Sequence, residues 1–460
     1  MTNDMKIPIV CLLVLAFSIA APAQPHRGAV TPELLRTLEK RFAGTPGDRT
    51  LQLRLRTCDL LQAALDSSFV VSADTSCTFR VPTRGITDQR KSGRCWLFST
   101  LNVLRAEMIF RYDMEAFEFS QTYGQFWDIL EKSNHFLENV IVNRRRPIDS
   151  RMNEWLFKKP IGDGGHFVNA AHLIAKYGLV PQEAMPEVHA SVDNARLMRS
   201  VTTLLRRYGL RLRAARSSEL EGIKTEALGS IYRLLSLTLG TPPRSFVWTL
   251  RDRTGRTLST ESYTPESFRD RYAGHDMERD YAVLMNDPSR PYFRMYEVES
   301  SRNCRELGNW CFLNLPVETL REIAVRSLRE GRMFYFSCDT TRDALPEAGI
   351  YDTALYDCEA LSDIPFDMTK EEQFRSCEIR SVHAMAMAGV RLDDAGHPVR
   401  WVAENSFGLN CGTGGYVTLS DAWFARYLFR MVVERQFLSE NLRACLDRKP
   451  IRLPAWNPIY

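Results

Sequence analysis

Gln89-Arg90-Lys91-Ser92-Gly93-Arg94-Cys95-Trp96-Leu97-Phe98 is the stretch on which the reading of this chain turns, because it sets a cysteine where a loop meets a helix. Leu97, Leu101, Leu104 and Met108 follow at three- and four-residue intervals, the spacing of one apolar helix face. They predict a helix from Cys95 to about Tyr112, with the cysteine in its first turn. There the positive end of the helix dipole and unpaired backbone N–H groups face the sulfur. A thiol attacks a carbonyl only as thiolate, and a free cysteine with a pKa of about 8.5 is mostly protonated at neutral pH. Cys95 is thus a candidate nucleophile in need of a base.

Among eight histidines, His383 is singled out by its setting in Ser381-Val382-His383-Ala384-Met385-Ala386-Met387, an apolar extended run where a charged ring is costly. A satisfied core histidine is the plain alternative. Asn405, within Trp401-Val402-Ala403-Glu404-Asn405-Ser406-Phe407-Gly408, favours the catalytic reading, since two neighbouring strands can bring its amide to the imidazole. An amide orients the ring without adding a charge. Gln89 stands six residues before Cys95, far enough for its side-chain N–H to return over the helix start beside the Cys95 N–H. Two donors then face a developing oxyanion. Asp163-Gly164-Gly165 supplies a glycine pair that lets a second chain come close, or else forms a plain turn.

Taken together, Q-R-K-S-G-R-C-W, V-H-A and E-N-S-F-G resemble the papain superfamily of cysteine peptidases. In that superfamily the histidine follows the cysteine by about 130 to 150 residues. Here the separation is 383 − 95 = 288, which implies a long insertion. S-G-R-C-W-L-F, F-S-Q-T-Y from Phe119, D-G-G from Asp163, Y-G-L-V-P from Tyr177, N-D-P from Asn286 and L-P-A-W-N-P from Leu453 resemble the bleomycin hydrolase and aminopeptidase C group. The resemblance runs from about Thr50 to the end of the sequence.

It implies an α+β fold, a papain-like core with a helical half bearing the cysteine and a β-rich half bearing histidine and asparagine. Long helical insertions, here about residues 190–245, and a C-terminal arm, about 447–460, accompany that core. The implied activity is that of a cysteine aminopeptidase on peptide substrates, with Cys95, His383, Asn405 and Gln89 in the catalytic roles and a homo-hexamer as the assembly. Gly164 and Gly165 are the substrate-binding candidates, adding an extended peptide like a strand. Tyr460, at the end of an arm that the family places in the cleft, is a third. Two departures are visible: an arm a few residues short of the family's usual tail, which leaves endopeptidase cleavage through an open cleft as an alternative, and Phe407 where the family usually has tryptophan. A nucleic-acid-binding or structural homologue with secondary or no peptidase activity is the alternative of another class.

The rest of the chain sets bounds. At 44% hydrophobic and 25% charged it has the proportions of a globular protein, and a net charge of +4 is too mild to imply a nucleic-acid or membrane partner. Lys6, the apolar run Ile7 to Ala21 and Ala21-Pro22-Ala23 read as a signal peptide over 1–23, making the protein periplasmic or secreted. Removing Cys11 with it leaves ten cysteines, nine besides Cys95, an odd number that cannot all pair. Cys304 and Cys311 are near enough to close a loop, whereas buried free thiols are expected for most others. With no CxxC pair and no histidine cluster, neither a metal nor a cofactor is expected.

Phe69 to Val81 reads as extended, Ser120 to Asn139 and Asp193 to Leu239 as helical, and 264–340 as alternating strand and helix. Asp339 to Arg380 reads as a surface excursion, and the part from Val382 as strand-rich up to a last helix capped by Ser420. Arg196, Arg199, Arg206, Arg207, Arg211, Arg213 and Arg216 give the second helical region a basic face. It is read as solvated or assembly surface, with nucleic-acid binding the alternative.

Overall fold

The helix that the leucine spacing predicts runs Cys95–Tyr112 in the computed structural model, which describes residues 28–42, 44–68, 74–274 and 276–457. The expected signal segment 1–23, residues 69–73 of the extended stretch, and Tyr460 lie outside the described residues. The chain divides into two units, 1–63 and 64–460. In the first, Thr31 and Thr45 cap helices Pro32–Arg41 and Pro46–Arg54, each opened by a proline whose missing N–H costs nothing at that position. Every site residue considered below belongs to the second.

The Cys95 helix is buried on nearly every side, from Trp96 continuously to Ala106, and not on a single face. It packs against the strand His383–Leu392 and against helices Gln121–Asn143 and Phe167–Tyr177. Three of its buried polar side chains find partners: Thr100 bonds the Trp96 carbonyl at 2.8 Å, Asn102 bonds Thr87 Oγ1 at 2.9 Å, and Arg105 pairs with Glu404.

Among the described residues a 12-stranded mixed sheet forms the β-rich half. His383–Leu392 lies antiparallel between Phe334–Cys338 and Pro398–Glu404, with His383 opposite Cys338 and Ala386 opposite Glu404. Its first eight residues are buried, which explains an unbroken apolar run where a half-exposed strand would alternate. Antiparallel return carries Asn405, just past Glu404, back toward His383. The residues after Asn405 are tied to the loop before Cys95, since the Gln89 N–H bonds the Ser406 carbonyl at 2.8 Å and the Gly408 N–H bonds the Thr87 carbonyl at 3.1 Å. The helical and β-rich halves meet there.

A second core joins helices Gln121–Asn143, Ala195–Ala214 and Leu220–Leu239 through Phe126, Leu137, Val201, Leu205, Ile231 and Leu235. The helical reading of Asp193 to Leu239 thus becomes two helices, because Ala215 is extended. Part of the basic run is used internally: Arg211 makes a two-pronged bond to Glu226, and Arg206 and Arg213 bond backbone carbonyls of the segment before the glycine pair.

Three readings need correction. Asp339 to Arg380 is only in part a surface excursion, because Ala344–Leu345 and Ile350–Tyr351 extend the sheet beside Tyr416–Ser420, and Tyr351, Leu355 and Ile379 are buried. The helix capped by Ser420, Asp421–Tyr427, is not the last: strand Leu428–Glu434 and helix Glu440–Leu446 follow. Arg430 interrupts that strand's apolar run and hides its central place in the sheet. The ten cysteines among the described residues are all free, so Cys304 and Cys311 do not close a loop.

Candidate active site

A cavity of about 750 Å³ is lined by Gln89, Cys95, His383, Gly164, Gly165 and Phe407, among others. Cys95 is half-buried at the first position of its helix. The N-cap, Arg94, offers no side-chain acceptor, so the first N–H groups of the helix are left to the sulfur and to whatever enters the cavity. Burial pushes the Cys95 thiol up to about 11, against which the backbone N–H groups of Ala384 and Trp96 favour the thiolate, while the Asp163 carboxylate opposes it.

His383 is 6% exposed, and its Nε2 lies 2.8 Å from Asn405 Oδ1. Asn405 is fully buried, its Oδ1 also accepts the Ser406 N–H at 2.8 Å, and its Nδ2 donates to Cys411 Sγ at 3.6 Å. The backbone donor fixes which end of the amide is oxygen, so His383 Nε2 carries a proton and Nδ1 keeps its lone pair. Burial pulls the imidazole down to about 4, and the Asn405 bond works the other way. Phe407 stacks on the ring with centroids 4.7 Å apart and an interplanar angle of 22°. It screens one face of the imidazole from water.

Gln89 is also buried. Its Nε2 donates to the Ser92 carbonyl at 2.6 Å and its Oε1 accepts from Ser406 Oγ at 2.7 Å. The amide has two N–H bonds, so one remains for the cavity it lines. The residues between Gln89 and Cys95 are each fixed. Ser92 Oγ donates to the Gln89 carbonyl at 2.6 Å, and Gly93 N–H donates to Asp163 Oδ2 at 2.6 Å. Arg94 bonds both oxygens of Glu187, at 2.9 and 2.7 Å. Any side chain at Gly93 would meet the Asp163 carboxylate, its Cβ within 2.5 Å of Oδ1.

Gly164 and Gly165 line the same cavity but differ in surroundings. A Cβ on Gly165 would approach Trp96 Cε2 to 2.7 Å, whereas one on Gly164 meets nothing within 4 Å. Cys95, His383, Asn405, Gln89, Gly164 and Gly165 are thus brought together, and Tyr460 is outside the described residues. Sequence reasoning missed Ser406, Cys411, Glu187 and the Asp163 carboxylate. Ser406 and Cys411 stand close to Asn405 in the chain and could have been suspected; nothing near Glu187 signals its bond to Arg94.

The sequence matches the Peptidase C1-like family over residues 29–460. Aminopeptidase C of Lactobacillus delbrueckii subsp. lactis is 34% identical over 414 residues, 88% of this chain and 92% of that protein. Bleomycin hydrolase of Gallus gallus is 31% identical over 426 residues, 89% and 93% of the two chains. The crystal structure of PepW from Lactobacillus rhamnosis superposes with a TM-score of 0.90 at 32% identity, covering 94% of this chain and 99% of that one. The α+β architecture expected from the sequence is therefore papain-like, and the chain belongs to the Peptidase C1-like family, with aminopeptidase C and bleomycin hydrolase among its relatives.

Proposed function

We propose that this cysteine peptidase is an aminopeptidase that releases N-terminal residues from peptides, with Cys95 as nucleophile, His383 as base, Asn405 as the group orienting the base and Gln89 as an oxyanion donor. The observation that carries the reading is His383, oriented from behind by Asn405, lining one cavity with a cysteine at an uncapped helix start. The names of its relatives, aminopeptidase C, W and G, support the exopeptidase direction.

In the proposed cycle Cys95 Sγ adds to the scissile carbonyl carbon while its proton passes to His383 Nδ1. The carbonyl π electrons move onto oxygen, which takes hydrogen bonds from the Cys95 backbone N–H and the free Gln89 N–H. His383 then gives the proton to the leaving amine as the C–N bond breaks, which leaves a thioester on Cys95. Water, deprotonated by the same imidazole, cleaves the thioester and restores the thiol. Asn405 keeps Nε2 protonated throughout, so that Nδ1 is always the working nitrogen.

The test pairs free and N-acetylated peptides, incubated under reducing conditions with the protein and with Cys95→Ala, the products being sequenced by mass spectrometry. Removal of single residues from free peptides only, absent with Cys95→Ala, is the expected result. Internal cuts in acetylated peptides would replace the aminopeptidase reading with an endopeptidase one, and Cys95-independent cleavage would remove Cys95 from the mechanism.

A further inference from the structure

Lys132, on the helix Gln121–Asn143, belongs to none of the roles just assigned. Its ammonium group donates to Asp128 Oδ2 at 2.6 Å, to the Gly164 carbonyl at 2.7 Å and to the Gly162 carbonyl at 3.2 Å. An ammonium has three N–H bonds, so these partners account for all of them. Asp128, buried and held also by Asn303 at 3.1 Å, supplies the opposite charge. Lys132 is therefore not a cation waiting for an anionic ligand. The carbonyl between its two, that of Asp163, accepts from Trp96 Nε1 at 2.9 Å.

Three successive carbonyls, 162 to 164, are thus turned onto side-chain donors from the helical half. A trans peptide is planar, and its N–H points opposite to its C=O. Fixing the carbonyls of Asp163 and Gly164 therefore aims the N–H groups of Gly164 and Gly165 away from Trp96 and Lys132. The two glycines then present donors to a peptide lying along them. Trp96 closes the Cβ side of Gly165, while that of Gly164 stays open.

Resting on the peptidase reading, we infer that Lys132 is the positioning residue of the substrate-binding edge: its ammonium clamps the carbonyls of Gly162 and Gly164 and so sets the direction of the N–H donors that hold the peptide. The competing account is a buried ion pair that merely fastens a loop. Removing Lys132 alone would also leave Asp128 buried with an unpaired charge, which destabilises whatever the role. Lys132→Met combined with Asp128→Asn removes the clamp without leaving that charge.

The experiment measures peptide affinity by calorimetry in the Cys95→Ala background, so that no turnover is needed, with a free-amino tetrapeptide as probe. It compares Lys132→Met, Lys132→Met/Asp128→Asn and Lys132→Arg. KM, kcat and the rate of Cys95 alkylation by iodoacetamide are measured in the same substitutions with Cys95 restored, and thermal midpoints throughout. In the double variant we expect the thermal midpoint to return toward the parent, affinity to fall and KM to rise by about tenfold, a hydrogen bond's worth, and the alkylation rate to hold within about twofold. Lys132→Arg, which keeps donors on a longer fork, should recover part of the affinity. Parent-like affinity and KM in a folded double variant would overturn the proposal. Hydrolysis that does not depend on Cys95 would instead sink the reading of Cys95 as nucleophile, and the affinity measurement would still judge Lys132.

Discussion

The side-chain nitrogen of Asn405 donates to the sulfur of Cys411 at 3.6 Å, while the amide oxygen faces the His383 imidazole. Cys411 donates in turn to the Pro346 carbonyl at 3.4 Å, so the thiol is held where it can accept. Its sulfur, together with the Ser406 N–H, decides which way the amide points.

Cys411→Ser retains an acceptor near that place and should keep kcat/KM within a few-fold of the parent. Cys411→Val removes it and strands a buried N–H, at a cost of about 1–3 kcal/mol. The valine variant should show the larger fall in kcat, because an amide held by the Ser406 N–H alone fixes the His383 tautomer less firmly. Equal kcat in the two variants, measured with a free-amino fluorogenic substrate, would remove Cys411 from the catalytic account.

The pH profile follows from burial. Burial pulls His383 down to about 4 and pushes Cys95 up to about 11, so between those values the two groups together hold one titrating proton, whichever atom carries it. As pH falls through about 4, the imidazole gains a second proton and the base is lost. An acid limb in kcat/KM near pH 4, well below the ordinary histidine range, is the expected outcome. The Asn405 bond holds the His383 pKa up, so Asn405→Ala should move that limb to still lower pH while reducing kcat. A limb that moves upward in Asn405→Ala would contradict the assignment.

The glycine pair gives a two-sided prediction. Gly165→Ala drives a methyl into Trp96, an overpacking that costs about 1–3 kcal/mol and should appear as a lowered denaturation midpoint. Gly164→Ala meets no protein atom within 4 Å and should leave stability unchanged. If a peptide lies along this edge, the Gly164 variant raises KM all the same. Stability loss in the Gly164 variant, or unchanged KM with a range of peptides, would count against the edge as the binding surface.

How much was legible in the sequence depended on distance along the chain. The Cys95 helix was visible because its leucines keep helical spacing, and the His383 strand because an apolar run of its length needs burial on both faces. What remained hidden was set by partners remote in sequence: Glu187 for Arg94, Lys132 for Gly164, and the sheet positions of Leu428–Glu434 and Ile350–Tyr351. Gln89 was found from its spacing to Cys95, but not that one of its N–H bonds is spent on the Ser92 carbonyl. Spacing reports reach, and hydrogen-bond partition emerges only with the fold.

The pair Arg105 and Glu404 joins the helical and β-rich halves. Arg105 stands on the Cys95 helix, Glu404 immediately precedes Asn405, and both side chains are buried. Burial pushes the Glu404 carboxyl up, and the Arg105 charge pulls it back. Arg105→Met leaves that carboxylate in the core without its cation, a loss of about 3–5 kcal/mol. Arg105→Met/Glu404→Gln removes both charges and should recover most of the stability. Since Glu404 and Asn405 share a backbone, the single variant should lose kcat as well as stability, and the double should regain both together. Chemical denaturation of the three proteins, with kcat measured well below each midpoint, separates the outcomes. An Arg105→Met protein as stable and as active as the parent would show that the pair neither braces the core nor sets the position of Asn405.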